Sequence, residues 1–246
     1  VSDIPSPYLT GLLDKFFDDK LDPLIQISRG CPFKCTYCVD GDDDVKVVNR
    51  FDVDRVSKEL EYIAERVPKR IETLQIVDLN FGMHREDLDV CDAIMKVKKK
   101  HQYPNMIQTS PGKNSKERII ATVKKLEGAL ILTMSVQSLD KQVLKNIKRS
   151  NISEEQMLEL VPTIKDSGLQ TKAEVILGLP GDSVDAHLFT LKSLLKAEID
   201  EILVFSCMLL PGSELYSKEE RKKWGIKAKH RILPRDFTQL NSGKVV

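Results

Sequence analysis

Short apolar, β-branched runs alternate along this chain with longer stretches in which apolar residues recur every three or four positions. The short runs fall at 24–28, 73–77, 106–110, 130–136, 173–179 and 201–207, and they predict six strands. Between them, Val56, Leu60, Ile63, Ala64 and Val67 form one helical stripe, and Leu88, Cys91, Ile94 and Met95 a second. Ile119, Ile120, Val123 and Leu126 make a third. Met157, Leu160, Val161 and Ile164 make a fourth, opened by the capping box Ser153-x-x-Gln156 and closed by Gly168. Pro162 inside it predicts a kink or a second start. Leu188, Leu191 and Leu195 complete a fifth. Alternation of this kind implies right-handed βαβ units on a parallel sheet. Near-continuous apolar strands imply that both faces of the sheet are covered. An open doubly wound sheet and a full or partial (β/α) barrel both satisfy the pattern.

Composition narrows the class without naming a function. The 246 residues suit one large α/β domain or two small ones, with room for a sizeable core. We divide them into an irregular lead-in over 1–23, a core over 24–212 and an extension over 213–246 with a short charged helix near 219–224. A chain that starts without Met and stops without a closing element reads as part of something longer. The formal net charge is +1, which argues against a polybasic nucleic-acid coat or an acidic tail. No apolar run approaches the roughly 18 residues of a membrane span, and Val1-Ser2-Asp3 does not open a secretory leader.

The five cysteines change the picture, because three of them, Cys31, Cys35 and Cys38, fall within eight residues. An odd, clustered count argues for a reducing compartment rather than a disulfide framework. Three thiolates on one loop after the first strand can wrap one metal centre, and soft sulfur favours zinc, copper(I) or iron–sulfur. A structural zinc would want a fourth ligand, yet the next His and Cys are His84 and Cys91. Three local thiolates suit a [4Fe-4S] cluster with one iron left open, the condition of a catalytic rather than a structural centre. A zinc knuckle completed from afar and unliganded buried cysteines are the alternatives.

Cys31-x3-Cys35-x2-Cys38, with aromatic Tyr37 before the last Cys and a (β/α) pattern after it, resembles the radical S-adenosylmethionine (SAM) superfamily. That resemblance implies a partial (β/α)6 barrel, which decides between the two architectures. It also implies SAM chelated at the open iron, and one-electron cleavage to methionine and a hydrogen-abstracting 5'-deoxyadenosyl radical. It assigns Cys31, Cys35 and Cys38 to the metal and places cofactor contacts at the strand ends. Asp78, Asn80, Phe81 and Gly82 stand where the family has a Gly-rich stretch near the SAM amino group, although Gly82 is the one glycine among them. Gln137 resembles a ribose-binding Gln, and Arg149 a residue that pairs with the SAM carboxylate. Glu174 and Gly178, in Glu174-Val175-Ile176-Leu177-Gly178-Leu179-Pro180-Gly181, match the family's acid and the turn that follows it. Tyr37 is placed with these cofactor contacts; no catalytic residue is assigned.

Pro5-Ser6-Pro7-Tyr8-Leu9, Asn80-Phe81-Gly82-Met83, and the stretch from Gln137 to Ile152 resemble the cobalamin-binding branch of that family. The branch carries a cobalamin domain ahead of the residues seen here; the Asp-x-His-x-x-Gly of a cobalt ligand does not occur in this chain. Methyl transfer by a parent protein, with cobalamin, is therefore the specific expectation. A radical SAM oxidoreductase or mutase without cobalamin, and a non-catalytic metal or electron-transfer module, are the rivals. The resemblance further implies a small-molecule substrate, a reductant such as flavodoxin or ferredoxin, and a cytoplasmic home for an oxygen-labile cluster. Polar mouth loops without an aromatic ladder or basic track argue against nucleic acid. Thr109-Ser110-Pro111-Gly112-Lys113-Asn114 reads as one such loop. Cys91 is expected in the core; Cys207 is expected there too, with the mouth as alternative.

Overall fold

Among the described residues, six parallel strands follow one another in chain order, each leading into the helix or loop that carries the chain back. The computed structural model describes residue 1 and residues 3–112, 116–165 and 168–230. One parallel sheet has the order β1 (Leu24–Ile25), β4 (Thr73–Phe81), β5 (Met106–Pro111). The other has β6 (Leu132–Gln137), β7 (Thr171–Leu177), β8 (Glu201–Ser206). A parallel bridge between Ile107 and Leu130 joins the two. β1 and β8 are not paired with each other, so the structure is a partial (β/α)6 barrel with an open side.

The predicted first strand splits in two. After β1 the chain turns out of the sheet, and β2 (Ser28–Arg29) pairs antiparallel with β3 (Asn49–Arg50). That ribbon clamps the base of the cysteine loop. The connecting helices are α1 (Val53–Ala64), α2 (Asp87–His101), α3 (Lys116–Lys125), α4 (Lys141–Asn146), α5 (Glu154–Lys165) and α6 (Val184–Lys196). A short α7 (Lys218–Lys223) matches the predicted charged helix. The capping box forms reciprocally: Gln156 N–H donates to Ser153 Oγ at 3.2 Å, and Ser153 N–H to Gln156 Oε1 at 2.9 Å. α5 continues through Pro162 without restarting; the side chain of Leu160 lies outside the described residues.

One expectation is corrected. Among the described residues, the strands are covered by helices on one face only. Leu74, Ile76, Ile107, Leu132, Met134, Ala173 and Val175 are buried with the helices in a single core. The alternating residues form a second, largely polar face: Gln75 bonds Gln108 at 2.7 Å, Ser135 bonds Glu174 at 2.6 Å, and Lys172 pairs with Glu201 at 3.1 Å. A cavity of about 330 Å³ opens there, lined by Gln108, Thr109, Thr133, Lys172 and Glu174 among others. Apolar runs hid this face because its polar residues, such as Gln75, Thr133, Ser135 and Glu174, are spaced singly between apolar ones. The α6 stripe is also displaced. Leu188 and Leu195 are exposed, and Thr190, Ser193 and Leu194 face inward. Thr190 earns that position by accepting Leu139 N–H at 3.0 Å and donating to Ala186 O at 3.1 Å.

The lead-in is tied down by Tyr8, buried in the main core. Its hydroxyl donates to Leu24 O at 2.9 Å and accepts Leu24 N–H at 3.1 Å. Among the described residues, no helix is long and apolar enough to cross a membrane.

Candidate active site

The cysteine loop leaves the β2–β3 ribbon through Gly30, whose φ is +107°. A Cβ there would stand 2.3 Å from Val47 O, so no other residue permits the two strands of the loop to close. Gly41 plays the same part on the far side, where a Cβ would lie 2.5 Å from Cys35 O. Cys31 N–H donates to Val45 O at 2.9 Å, and Cys38 N–H to Cys35 O at 3.1 Å. The loop is thus folded back on itself with Cys31 and Cys35 buried and Cys38 half-buried. It also bridges to the second half of the barrel, through Thr36 N–H to Ile147 O at 3.1 Å and Leu215 N–H to Thr36 O at 2.8 Å.

Two side chains from elsewhere aim N–H groups at the sulfurs. Asn80, at the end of β4, places Nδ2 3.4 Å from Cys31 Sγ, while its buried Oδ1 has no hydrogen-bond partner among the described residues. Arg149 places Nη1 3.8 Å from Cys35 Sγ and 2.9 Å from Tyr37 Oη. Its Nε donates to Asn151 Oδ1 at 2.8 Å and its Nη2 to Ser135 O. Local structure explains the aim of Arg149. Asp140 caps α4 by accepting Gln142 N–H and Val143 N–H, both at 2.9 Å. At the other end Arg149 N–H donates to Leu144 O and Lys148 N–H to Lys145 O, with Lys148 at φ +54°. This is the Schellman arrangement, which turns the chain back over the helix end. Burial pushes the Tyr37 phenol well above its ordinary pKa, with Arg149 opposing that rise.

The remaining predicted contacts are distributed unevenly. Asp78 is buried and committed: Oδ1 accepts Ile27 N–H at 2.7 Å and Oδ2 accepts the Ser28 hydroxyl. It holds the base of the cysteine loop, and burial raises its pKa despite those two bonds. Phe81 is buried in the core. Gly82, at φ +84°, starts a turn fixed by Asp87, whose Oδ2 accepts Gly82 N–H and His84 N–H, each at 2.9 Å. Asp87 also pairs with Arg50. No sequence pattern singled out Asp87; an acid in the first turn of α2 was the signal available. Gln137 is buried at φ +63°, beside a register shift between β6 and β7. Glu174 faces the open side with Ser135 as its bonded partner. Gly178, at φ +83°, gives its N–H to Asp182 Oδ2 at 3.1 Å.

The strand β5 runs through Thr109, Ser110 and Pro111, so these are not the polar loop expected; Lys113 and Asn114 lie outside the described residues. Cys91 is fully buried and its thiol is pushed up to about 12 by burial. Cys207 is half-buried and packs against the small cluster of Val143, Ile147 and Leu179. Asp43, on the acidic run after the loop, pairs with Lys34 at 2.6 Å in solvent.

Residues 25–211 match the Radical SAM superfamily. The chain belongs to that superfamily. It is 31% identical, over 233 residues, to a 2-(S-pantetheinyl)-carbapenam-3-carboxylate methyltransferase of Streptantibioticus cattleyicolor, covering 91% of this chain and 34% of that protein. It is 29% identical, over 235 residues, to the cobalamin-dependent radical SAM methyltransferase TokK of Streptomyces tokunonensis, covering 92% of this chain and 34% of that one. Among solved structures, the radical SAM methyltransferase TsrM of Kitasatospora setae, with cobalamin and a [4Fe-4S] cluster bound, superposes with a TM-score of 0.61. There the identity is 15%, over 79% of this chain and 36% of that one. The fold is therefore the radical SAM fold, and the chain spans about a third of the length of these relatives.

Proposed function

We propose that this chain is the radical-generating core of a cobalamin-dependent methyltransferase. The observation that carries the reading is the cysteine loop: three thiol side chains on a glycine-closed cradle, two of them buried with N–H groups turned to their sulfurs. Among the described residues, no three His, Cys, Asp or Glu side chains gather round a single point. Cys31, Cys35 and Cys38 would hold a [4Fe-4S] cluster, leaving one iron without a protein ligand. Bound there, the cluster supplies the electron that cleaves SAM to methionine and a 5'-deoxyadenosyl radical able to take hydrogen from a substrate.

The chain's own residues then divide the work. Asn80 Oδ1, buried and without a partner among the described residues, is an acceptor for a protonated amine such as that of SAM. Gln137 and Glu174 offer an amide and a carboxylate to ribose hydroxyls. The turns at Gly82 and Gly178 let backbone approach the cofactor. The largely polar face and its cavity would receive a small substrate. A flavodoxin or ferredoxin would deliver the electron, in a cytoplasmic setting that keeps the cluster reduced. Likeness to two methyltransferases supports methyl transfer by the whole protein.

Anaerobic reconstitution with iron and sulfide tests the core reading. The expected result is cluster absorbance, and 5'-deoxyadenosine from SAM plus dithionite. Both are expected to vanish on replacing Cys31, Cys35 or Cys38 with Ala. A fully ligated centre whose spectrum ignores added SAM would replace this reading with an electron-transfer module. The whole polypeptide, purified anaerobically from cobalamin-fed cells, is expected to retain cobalamin; a cobalamin-free protein that still cleaves SAM would point to an oxidoreductase or mutase.

A further inference from the structure

Arg149 is set apart by how completely it is engaged. A guanidinium clamps a carboxylate with two parallel N–H groups along one edge of its fork. Here Nε is given to Asn151 and Nη1 to Tyr37 and the Cys35 sulfur. Nη2 reaches Ser135 O. Each edge of the fork therefore has at least one N–H in use. Asn80 does on the other side of the loop, with a neutral amide, what Arg149 does with a cation: it points Nδ2 at Cys31 Sγ. Both residues are buried, as are both cysteines. Cys38 stands in different surroundings, half-buried with Asp40 Oδ2 3.8 Å from its sulfur.

Resting on the proposed cluster reading, we infer that Arg149 and Asn80 set the reduction potential of the cluster by donating to the Cys35 and Cys31 sulfurs, and that Arg149 is not a clamp for the SAM carboxylate. Reduction adds negative charge to a centre already ligated by thiolates. N–H donors and a fixed cation beside the sulfurs stabilise that state more than the oxidised one, and so raise the potential. Burial keeps this effect from being screened by water and salt. Arg149 carries the larger share because it brings a full charge; Asn80 brings a dipole. The carboxylate of Asp40 acts in the opposite sense at Cys38, so the three ligands are electrically unequal.

The test is an EPR-monitored redox titration of the reconstituted chain without SAM, with SAM affinity measured separately. Arg149→Gln is expected to lower the reduced-to-oxidised ratio at fixed potential at least about tenfold, a shift of about 59 mV to more negative values for a one-electron couple. Arg149→Lys, which keeps the charge without the fork, is expected between Gln and wild type, and Asn80→Leu is expected to shift the same way by less. An unmoved SAM-free midpoint in Arg149→Gln, with SAM affinity lost, would make Arg149 the carboxylate clamp and overturn the inference. Should Arg149→Gln take up no cluster, Arg149→Lys and Asn80→Leu decide: wild-type midpoints in both overturn it, and negative shifts in both support it. Failure of the wild-type chain itself to hold a cluster would strike the underlying reading instead.

Discussion

The barrel holds Asp78 and Asp87, in its first half, and Glu174, in its second, in opposite ways. In the first half, Asp78 and Asp87 are buried and fully spent. Asp78 joins β4 to the backbone entering the cysteine loop, and Asp87 gathers Gly82 N–H, His84 N–H and the guanidinium of Arg50, which is on the ribbon closing that loop. In the second half, Glu174 stands on the open face, half-buried, with the Ser135 hydroxyl as its bonded partner and a cavity in front of it. The edge strand β8 follows the same trend, with Val204 and Phe205 exposed. An acid whose oxygens are all taken by backbone N–H groups, a buried hydroxyl or an internal cation is a joint. An acid left facing a cavity is available to a ligand. Resemblance to a family placed Asp78 and Glu174 together as cofactor contacts; their surroundings separate them.

Substitutions can break that contrast. Asp87→Ala is expected to cost most, about 3 kcal/mol, because it strands a half-buried Arg50 and two backbone N–H groups at once. Asp78→Ala is expected to cost about 2 kcal/mol by leaving Ile27 N–H and the Ser28 hydroxyl unpaired. Urea denaturation of the chain measures both, and both variants are expected to take up iron poorly because the base of the loop is loosened. Glu174→Gln is expected to stay within about 0.5 kcal/mol of wild type, since the amide oxygen still accepts from Ser135, while SAM affinity falls. If Glu174→Gln destabilises as much as Asp78→Ala, Glu174 is a joint as well and the two halves are alike.

Periodicity made the scaffold legible, and chemistry made the loop legible. β7, β8 and the helices α1, α2, α3 and α5 lie where apolar spacing predicts them, within a few residues at their ends. The Ser153 capping box is visible because both its partners sit three residues apart. The ribbon of β2 and β3 was not legible, because two-residue strands have no period to read. Nor was the open polar face, since a partial barrel and a covered sheet use the same apolar runs on their helix side. The sulfur contacts of Asn80 and Arg149 join residues 49 and 114 positions apart. Such pairings depend on how α4 ends and where β4 stops, and local pattern carries neither.

The smallest effect expected is also the most specific to the first half. Burial raises the pKa of Asp78, outweighing the two hydrogen bonds that favour its charged form. A group whose pKa is higher folded than unfolded binds its proton more readily in the native state. Its contribution to stability is complete below the unfolded value and is lost as pH rises through the folded one. Asp78→Asn removes the titration while keeping one acceptor, and the Ser28 hydroxyl can turn to suit the new amide. The difference in unfolding free energy between wild type and Asp78→Asn should therefore shift in favour of wild type as pH falls from about 7 toward about 4. Taking the difference cancels the acid sensitivity that the two proteins share. A difference that moves the other way would mean that the Ile27 and Ser28 bonds hold the carboxylate charged, so that the joint at the base of the cysteine loop works as an anion rather than as a buried acid.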